Sequence, residues 1–83
     1  MIHTYLFTQT NSAPCDRVLE FLANNERDVE VLPLRDADGE LNELASDFGV
    51  ELTPTMFSYD DELEEMVDYS RFVGGNSILK QLA

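Results

Sequence analysis

The chain has 83 residues, of which seventeen are Asp or Glu and five are Lys or Arg, so its formal net charge is -12. This length predicts one domain, residues 1–83, close to the smallest size that buries a self-sufficient hydrophobic core. A single cysteine excludes an internal disulfide and zinc sites of the C-x-x-C type. At 43% hydrophobic and 10% aromatic residues, the composition is that of a folded chain and not of an acidic disordered tail.

The acidic excess also bears on what the chain can bind. Five basic residues cannot neutralise many phosphates within such a field, so we expect no binding to DNA or RNA. No apolar run approaches the ~20 residues that span a bilayer, and no secretory signal is visible. We therefore expect a cytoplasmic monomer with no membrane association. The acidic run at 60–68 lacks the glycine and the ligand alternation of a calcium loop, so no metal site is expected.

The first half of the chain predicts a strand, a helix and a second strand. Residues 2–7 alternate and are rich in β-branched and aromatic side chains, which is typical of a strand. Ser12 or Asn11 is a suitable N-cap for a helix that has proline in its first turn and ends near 24–25. Apolar residues within 29–32 predict the second strand, which a proline ends.

The second half predicts a helix, two strands and a final helix. Apolar residues across 41–48 give the strongest helical periodicity of the chain, and Gly49 stands where a C-cap glycine would end that helix. The runs 55–59 and 63–67 predict two strands joined by an acidic turn. Apolar residues within 78–82 predict the short final helix.

The predicted order of elements is β-α-β-α-β-β-α. The early β-α-β unit implies a parallel strand pair with a right-handed crossover, and the late hairpin adds antiparallel strands. The sequence therefore predicts an α/β domain with a mixed four-stranded sheet and three helices on its two faces.

Cys15, the only cysteine, falls in the first turn of the first predicted helix. Unpaired N–H groups and the helix dipole at such a position favour a thiolate. Redox chemistry of the C-x-x-C type needs a nucleophilic thiol and a resolving thiol on one helical turn. The chain reads Ser12-Ala13-Pro14-Cys15, so the spacing is present and a hydroxyl replaces the first thiol. An inert packing role for Cys15 is the alternative.

With this order of elements and these motifs, the chain resembles glutaredoxins and small glutaredoxin-like proteins of the thioredoxin fold over nearly its whole length. Residues 7–15 resemble the family's aromatic-Thr-Lys-Pro-x-Cys-x-x-Cys segment. Thr53-Pro54 resembles the loop that holds a cis-proline opposite the active site, and Gly74-Gly75 resembles the glycine pair before the last helix. The resemblance implies a thioredoxin-like fold and thiol–disulfide oxidoreductase chemistry.

The resemblance also implies the roles of individual residues. Ser12 occupies the nucleophile position and Cys15 the position of the resolving thiol. Because a hydroxyl forms no disulfide, the chain is an enzyme of this class only if position 12 is cysteine in the parent protein. The implied substrate-binding residues are Gln9, Ala13, Pro14, Thr53, Pro54, Gly74, Gly75 and Asn76.

Two departures from the family pattern bear on the partner. Gln9 replaces the usual lysine, and Asn76 stands where glutathione-binding members have an acidic residue. Both weaken the case for glutathione, so we expect no bound cofactor and a disulfide-containing protein as substrate. A thiol reductase or glutathione would be the electron source.

Two origins of Ser12 stay open at this point: natural loss of the nucleophile, or an engineered Cys→Ser substitution. The alternative function is a redox-inactive acidic module that uses the thioredoxin fold to bind a basic partner or to imitate nucleic acid. The acidic surface suits such a partner, and it equally suits high salt, where screening removes the self-repulsion.

Overall fold

The computed structural model describes all 83 residues and contains five strands and three helices. In chain order these are β1 (Ile2–Thr8), α1 (Ala13–Asn24), β2 (Glu30–Pro33), α2 (Glu43–Asp47), β3 (Thr55–Asp60), β4 (Glu65–Met66), β5 (Phe72–Val73) and α3 (Gly75–Leu82). None of the helices has the length and apolar character needed to cross a membrane.

The sheet is mixed, and β1 lies at its centre. Its strand order is β2-β1-β3-β4, with β5 also paired to β3. β1 runs parallel to β2, with Thr8 opposite Pro33, and antiparallel to β3, with Phe7 opposite Thr55. The predicted parallel pair and the mixed α/β sheet are therefore confirmed.

The outer edge of β3 differs from the prediction of a single strand over 63–67. β4 and β5 both pair with β3 there, one at each end, so two short strands share the fourth place across the sheet. Between the two strands, the Ser70 hydroxyl accepts a hydrogen bond from the amide of Ser58 at 3.0 Å. The preceding residue, Tyr69, has a left-handed backbone conformation with a φ of 60°. A side chain thus replaces a strand neighbour at this point, which interrupts the ladder.

Helix α2 begins later than the periodicity predicted. The Asn42 side chain accepts a hydrogen bond from the amide of Leu44 at 2.9 Å and so caps the helix. Leu41 lies before this cap and forms an isolated β-bridge with Arg35. An N-cap that bonds the backbone fixes the first turn more strongly than apolar spacing does.

The end of α2 confirms the role predicted for Gly49. This glycine has a φ of +64°, and the next amide, that of Val50, donates to the Ala45 carbonyl at 2.8 Å, which is the Schellman arrangement. The Arg71 guanidinium closes the same end by donating to the carbonyls of Phe48 at 2.8 Å and Gly49 at 3.0 Å. A residue distant in sequence therefore anchors the last turn.

Two hydrophobic clusters cover the two faces of the sheet. Adjacent residues of β1, Leu6 and Phe7, point to opposite faces, and both are fully buried. The cluster under α2 contains Phe7, Leu34, Ala45, Val50 and Phe57. The cluster under α1 and α3 contains Leu6, Val18, Met56 and Ile78.

The charges are mostly unpaired. The ion pairs join only the N-terminal ammonium to Asp61 and Glu62, and His3 Nε2 is hydrogen-bonded to Asp61 at 2.8 Å. The arginines that form hydrogen bonds, Arg27, Arg35 and Arg71, donate to backbone carbonyls. The carboxylates therefore repel one another with little local compensation.

We expect salt to stabilise the fold. Raising sodium chloride to about 1 M should raise the Tm by roughly 5–10 °C, because screening removes the repulsion among the carboxylates. Circular dichroism melts measure this, and potassium chloride should act equally well. A Tm that stays constant with either salt would contradict the argument.

We expect Arg71→Met to lower the free energy of unfolding by about 1 kcal/mol, because the carbonyls that end α2 lose charged donors. The matched control is Arg17→Met, which removes an equal charge from an exposed position on α1. Urea unfolding followed by circular dichroism compares the two variants. Equal losses in both would show that the capping bonds add nothing.

Candidate functional site

The segments that carry the resemblance meet at one end of the sheet, where β1 ends and β3 begins. The Thr53 hydroxyl donates to Gln9 Oε1 at 2.7 Å, which joins the loop after β1 to the loop before β3. The Gly74 amide donates to the Pro54 carbonyl at 2.9 Å, which joins the glycine pair to the loop before β3. Thr55 and Val73 are paired in the sheet, and this pairing brings their neighbours Pro54 and Gly74 into contact.

The loop before β3 has the geometry that the resemblance implied. The Thr53–Pro54 peptide bond is cis, and Pro54 is buried. The main-chain N–H and C=O groups of Thr53 have no backbone hydrogen-bond partner within the chain.

Ser12 is the N-cap of α1, which settles the choice between Ser12 and Asn11. Its hydroxyl accepts a hydrogen bond from the amide of Cys15 at 3.4 Å, and its carbonyl accepts one from the amide of Asp16 at 2.9 Å. The side chain at position 12 thus faces the unpaired N–H groups of the helix. Asn11 precedes it with a left-handed φ of 58°, which asparagine tolerates well.

Cys15 is a free thiol with none of its surface exposed. The buried polar side chains of the protein are those of Thr8 and Thr55, so no titratable group is enclosed with it. Because solvent does not reach this thiol, a disulfide between two molecules through Cys15 would require local opening. Its place agrees with a resolving thiol, and equally with packing.

The glycine pair has a conformational and a packing role. Gly74 has a φ of +94°, a region that favours glycine, and it precedes α3. Gly75 is buried where α3 approaches α1, and a Cβ there would lie 3.2 Å from the Pro14 carbonyl oxygen and 3.3 Å from Pro14 Cβ. Glycine at 75 therefore brings the first turns of the two helices together.

The remaining predicted residues are less connected. Ala13 and Asn76 are exposed on the first turns of α1 and α3, and Asn76 forms no hydrogen bond with the other site residues. The sequence motifs did not single out Leu52 and Val73, which are 66% and 42% exposed and lie beside Thr53 and Gly74. Their position immediately before two recognised motifs was the signal that could have identified them.

The loop of the site at 9–15 carries no charged side chain, whereas Asp16, Arg35 and Asp36 line the pocket beside Gln9. Residues 1–15 contain no Asp, Glu, Lys or Arg side chain. At the far end of β3, hydrogen bonds from the N-terminal ammonium and from His3 hold the pKa of Asp61 below its usual range. No three His, Cys, Asp or Glu side chains converge in a way that could hold a metal ion.

We expect Gly75→Ala to destabilise the protein by about 1–3 kcal/mol, because the added Cβ overpacks the contact between α1 and α3. Asn76→Ala, at the next and exposed position, is the control and should change stability little. Thermal unfolding measures both effects. If the two variants melted together, the close approach at Pro14 would not constrain the fold.

Comparison with known proteins supports the fold. No protein-family model and no curated protein sequence matches the chain. Among solved structures, the thioredoxin-like protein BC3987 is similar over 96% of this chain and 99% of its own, with 28% identity and a TM-score of 0.60. Thioredoxin from Fasciola hepatica is similar over 98% of this chain and 75% of its own, with 26% identity and a TM-score of 0.61. Thioredoxin from Plasmodium falciparum, at 20% identity, gives a TM-score of 0.63 over 98% of this chain and 76% of its own. The fold of this protein is thioredoxin-like.

Proposed function

We propose that this end of the sheet is the site of a glutaredoxin-like thiol–disulfide oxidoreductase acting on protein disulfides. The observation that carries the proposal is the placement of position 12. Its side-chain oxygen faces the backbone amide of Cys15 at the start of α1, and the Cys15 thiol lies on the same helical turn. A thiolate placed there would be stabilised by the helix N-terminus and would have a second sulfur within one turn.

The surroundings of position 12 suit a polypeptide substrate. The free main-chain groups of Thr53 can pair with an extended segment in the manner of an added strand. Leu52 and Val73 supply exposed apolar surface on either side. The neutral loop at 9–15 adds no repulsion toward an acidic or a basic segment.

Glutathione is less well supported as the substrate. Gln9 is neutral and its side-chain oxygen is engaged by the Thr53 hydroxyl. Asn76 carries no charge that would meet the amine of the tripeptide. We therefore propose a protein disulfide as substrate, in a reducing cytoplasmic setting, with a thiol reductase or glutathione supplying electrons to a monomer.

The reaction requires a thiol at position 12. In a Ser12→Cys variant, the new thiolate attacks one substrate sulfur, the substrate S–S bond breaks, and the released sulfur takes up a proton. The Cys15 thiolate then attacks the sulfur at position 12, which frees the second substrate thiol and leaves an internal disulfide. Dithiothreitol returns the two electrons. With Ser12 in place, the first attack does not occur.

A second candidate function is a redox-inactive binding module on the same fold. It is favoured by the cap itself, because serine is among the best N-cap residues and Ser12 already pairs the amide of Cys15. The full burial of Cys15 agrees with it as well. In this case the acidic protein binds a basic partner or imitates nucleic acid, and it performs no disulfide exchange.

Insulin reduction with dithiothreitol as electron source tests the first proposal. We expect Ser12→Cys to exceed the Ser12 chain by about tenfold or more, since only the variant has a nucleophile. Adding Cys15→Ala to this variant should stop turnover at a mixed disulfide with the substrate, visible by mass spectrometry.

A folded Ser12→Cys variant with no gain in insulin reduction and no mixed disulfide would overturn the redox proposal and leave the binding module. Circular dichroism establishes that the variant is folded.

A further inference from the structure

The end of the sheet opposite Pro54 carries a surface that the proposed chemistry does not use. β3 runs from Thr55 beside the site to Asp60 at the other end, a distance of about 17 Å at the rise of an extended strand. On the face covered by α1 and α3, the helices pack on Leu6 and Met56. Beyond the helix ends, the sheet is open.

Two adjoining grooves occupy this open end. The first, of about 380 Å³, has the paired hydroxyls of Thr4 and Ser58 in its lining and Tyr69 among its other lining residues. The second, of about 280 Å³, has Ile2, Leu63, Met66 and Val67 as its apolar lining residues. The two grooves meet at Asp68, which lines both, and together we call them the distal groove.

The distal groove presents large apolar side chains to solvent. Leu63 is 66% exposed, Ile2 is 57% exposed and Tyr69 is fully exposed. The turn that carries Tyr69 is fixed, because the Ser70 hydroxyl donates to the Val67 carbonyl at 2.6 Å and accepts the Ser58 amide at 3.0 Å. Because the backbone of this turn is already held, it loses little conformational entropy when a partner binds.

The charged residues around these apolar side chains are mainly acidic. Asp60 and Glu65 line the second groove, Asp28 lines the first and Asp68 lines both, and none of the four is in an ion pair. The only basic residue of the lining is Arg27, whose guanidinium is held by the Leu82 carbonyl at 3.1 Å and lies over the Phe21 ring. Asp60 Oδ1 accepts hydrogen bonds from the amides of Glu62 and Leu63, whereas Glu65 and Asp68 are left for an incoming cation.

We propose that the distal groove is a docking site for a basic polypeptide segment in which Lys or Arg residues are interspersed with aliphatic ones. The aliphatic side chains enter the apolar groove, the cations pair with Glu65 and Asp68, and one cation lies over the Tyr69 ring. A second copy of this chain does not fit, because its net charge of -12 repels the same carboxylates. Since the groove is remote from position 12, this proposal stands or falls separately from the redox proposal.

The test uses the full chain and a synthetic peptide of about twelve residues built from Lys-Leu-Ser repeats, long enough to cross both grooves in extended form. Amide chemical-shift mapping by NMR should show changes at 2–4 and 58–72 and none at 9–15. Ser12→Cys should leave the peptide affinity unchanged. Shifts confined to 9–15 and 53–54 would place the peptide at the redox site and overturn the proposal.

Variants separate specific docking from general attraction. We expect Leu63→Ser with Tyr69→Ser to weaken binding about tenfold, because the exposed apolar anchors are lost. Glu65→Gln with Asp68→Asn should weaken it more than Asp38→Asn with Glu40→Gln, which removes the same charge from the loop before α2. Equal weakening by the two charge pairs would show that the peptide follows only the overall acidic field, and the docking site would be rejected.

Discussion

The position of β1 between β2 and β3 is the constraint on which the rest of the structure depends. Its parallel pairing with β2 sends the chain through α1 on one face, and its antiparallel register with β3 sets Phe7 opposite Thr55. That register places Pro54 at the end of the sheet where the loop after β1 leads into α1. A slip of one residue would exchange the faces of Leu6 and Phe7 and separate both clusters from their helices.

The same register explains why the candidate site is built from backbone and small residues. The Gly74 amide meets the Pro54 carbonyl, and Gly75 lets α3 approach Pro14 on α1. Position 12 then lies at a helix start, where either a hydroxyl or a thiolate is stabilised by unpaired amides. Serine at this position caps the helix, and the proposed disulfide exchange would need cysteine in its place. The chemistry of the site depends on whether the side chain at position 12 carries oxygen or sulfur.

Charge divides the molecule along β3. The loop of the candidate site at 9–15 is uncharged, whereas the distal groove is bordered by carboxylates without ion pairs. Arg71 and Arg27 donate to backbone carbonyls, so they hold helix ends and leave the acids uncompensated. The chain therefore keeps a large negative field, and within it the apolar side chains of Leu63 and Tyr69 are exposed.

The sequence alone determined the mixed α/β sheet, seven of the eight elements in their order and the cap at Gly49, because periodicity and local backbone chemistry specify these within a few residues. The thioredoxin-like fold followed from the family resemblance. The resemblance also located the cis-proline and the glycine pair, although not the packing that requires Gly75. Only the tertiary structure decided the split of the outer strand, the anchoring of α2 by Arg71, and the exposure of Leu52 and Val73. Each of these depends on contacts or packing between segments distant in sequence, such as the bond from Ser70 to Ser58, which no local pattern encodes.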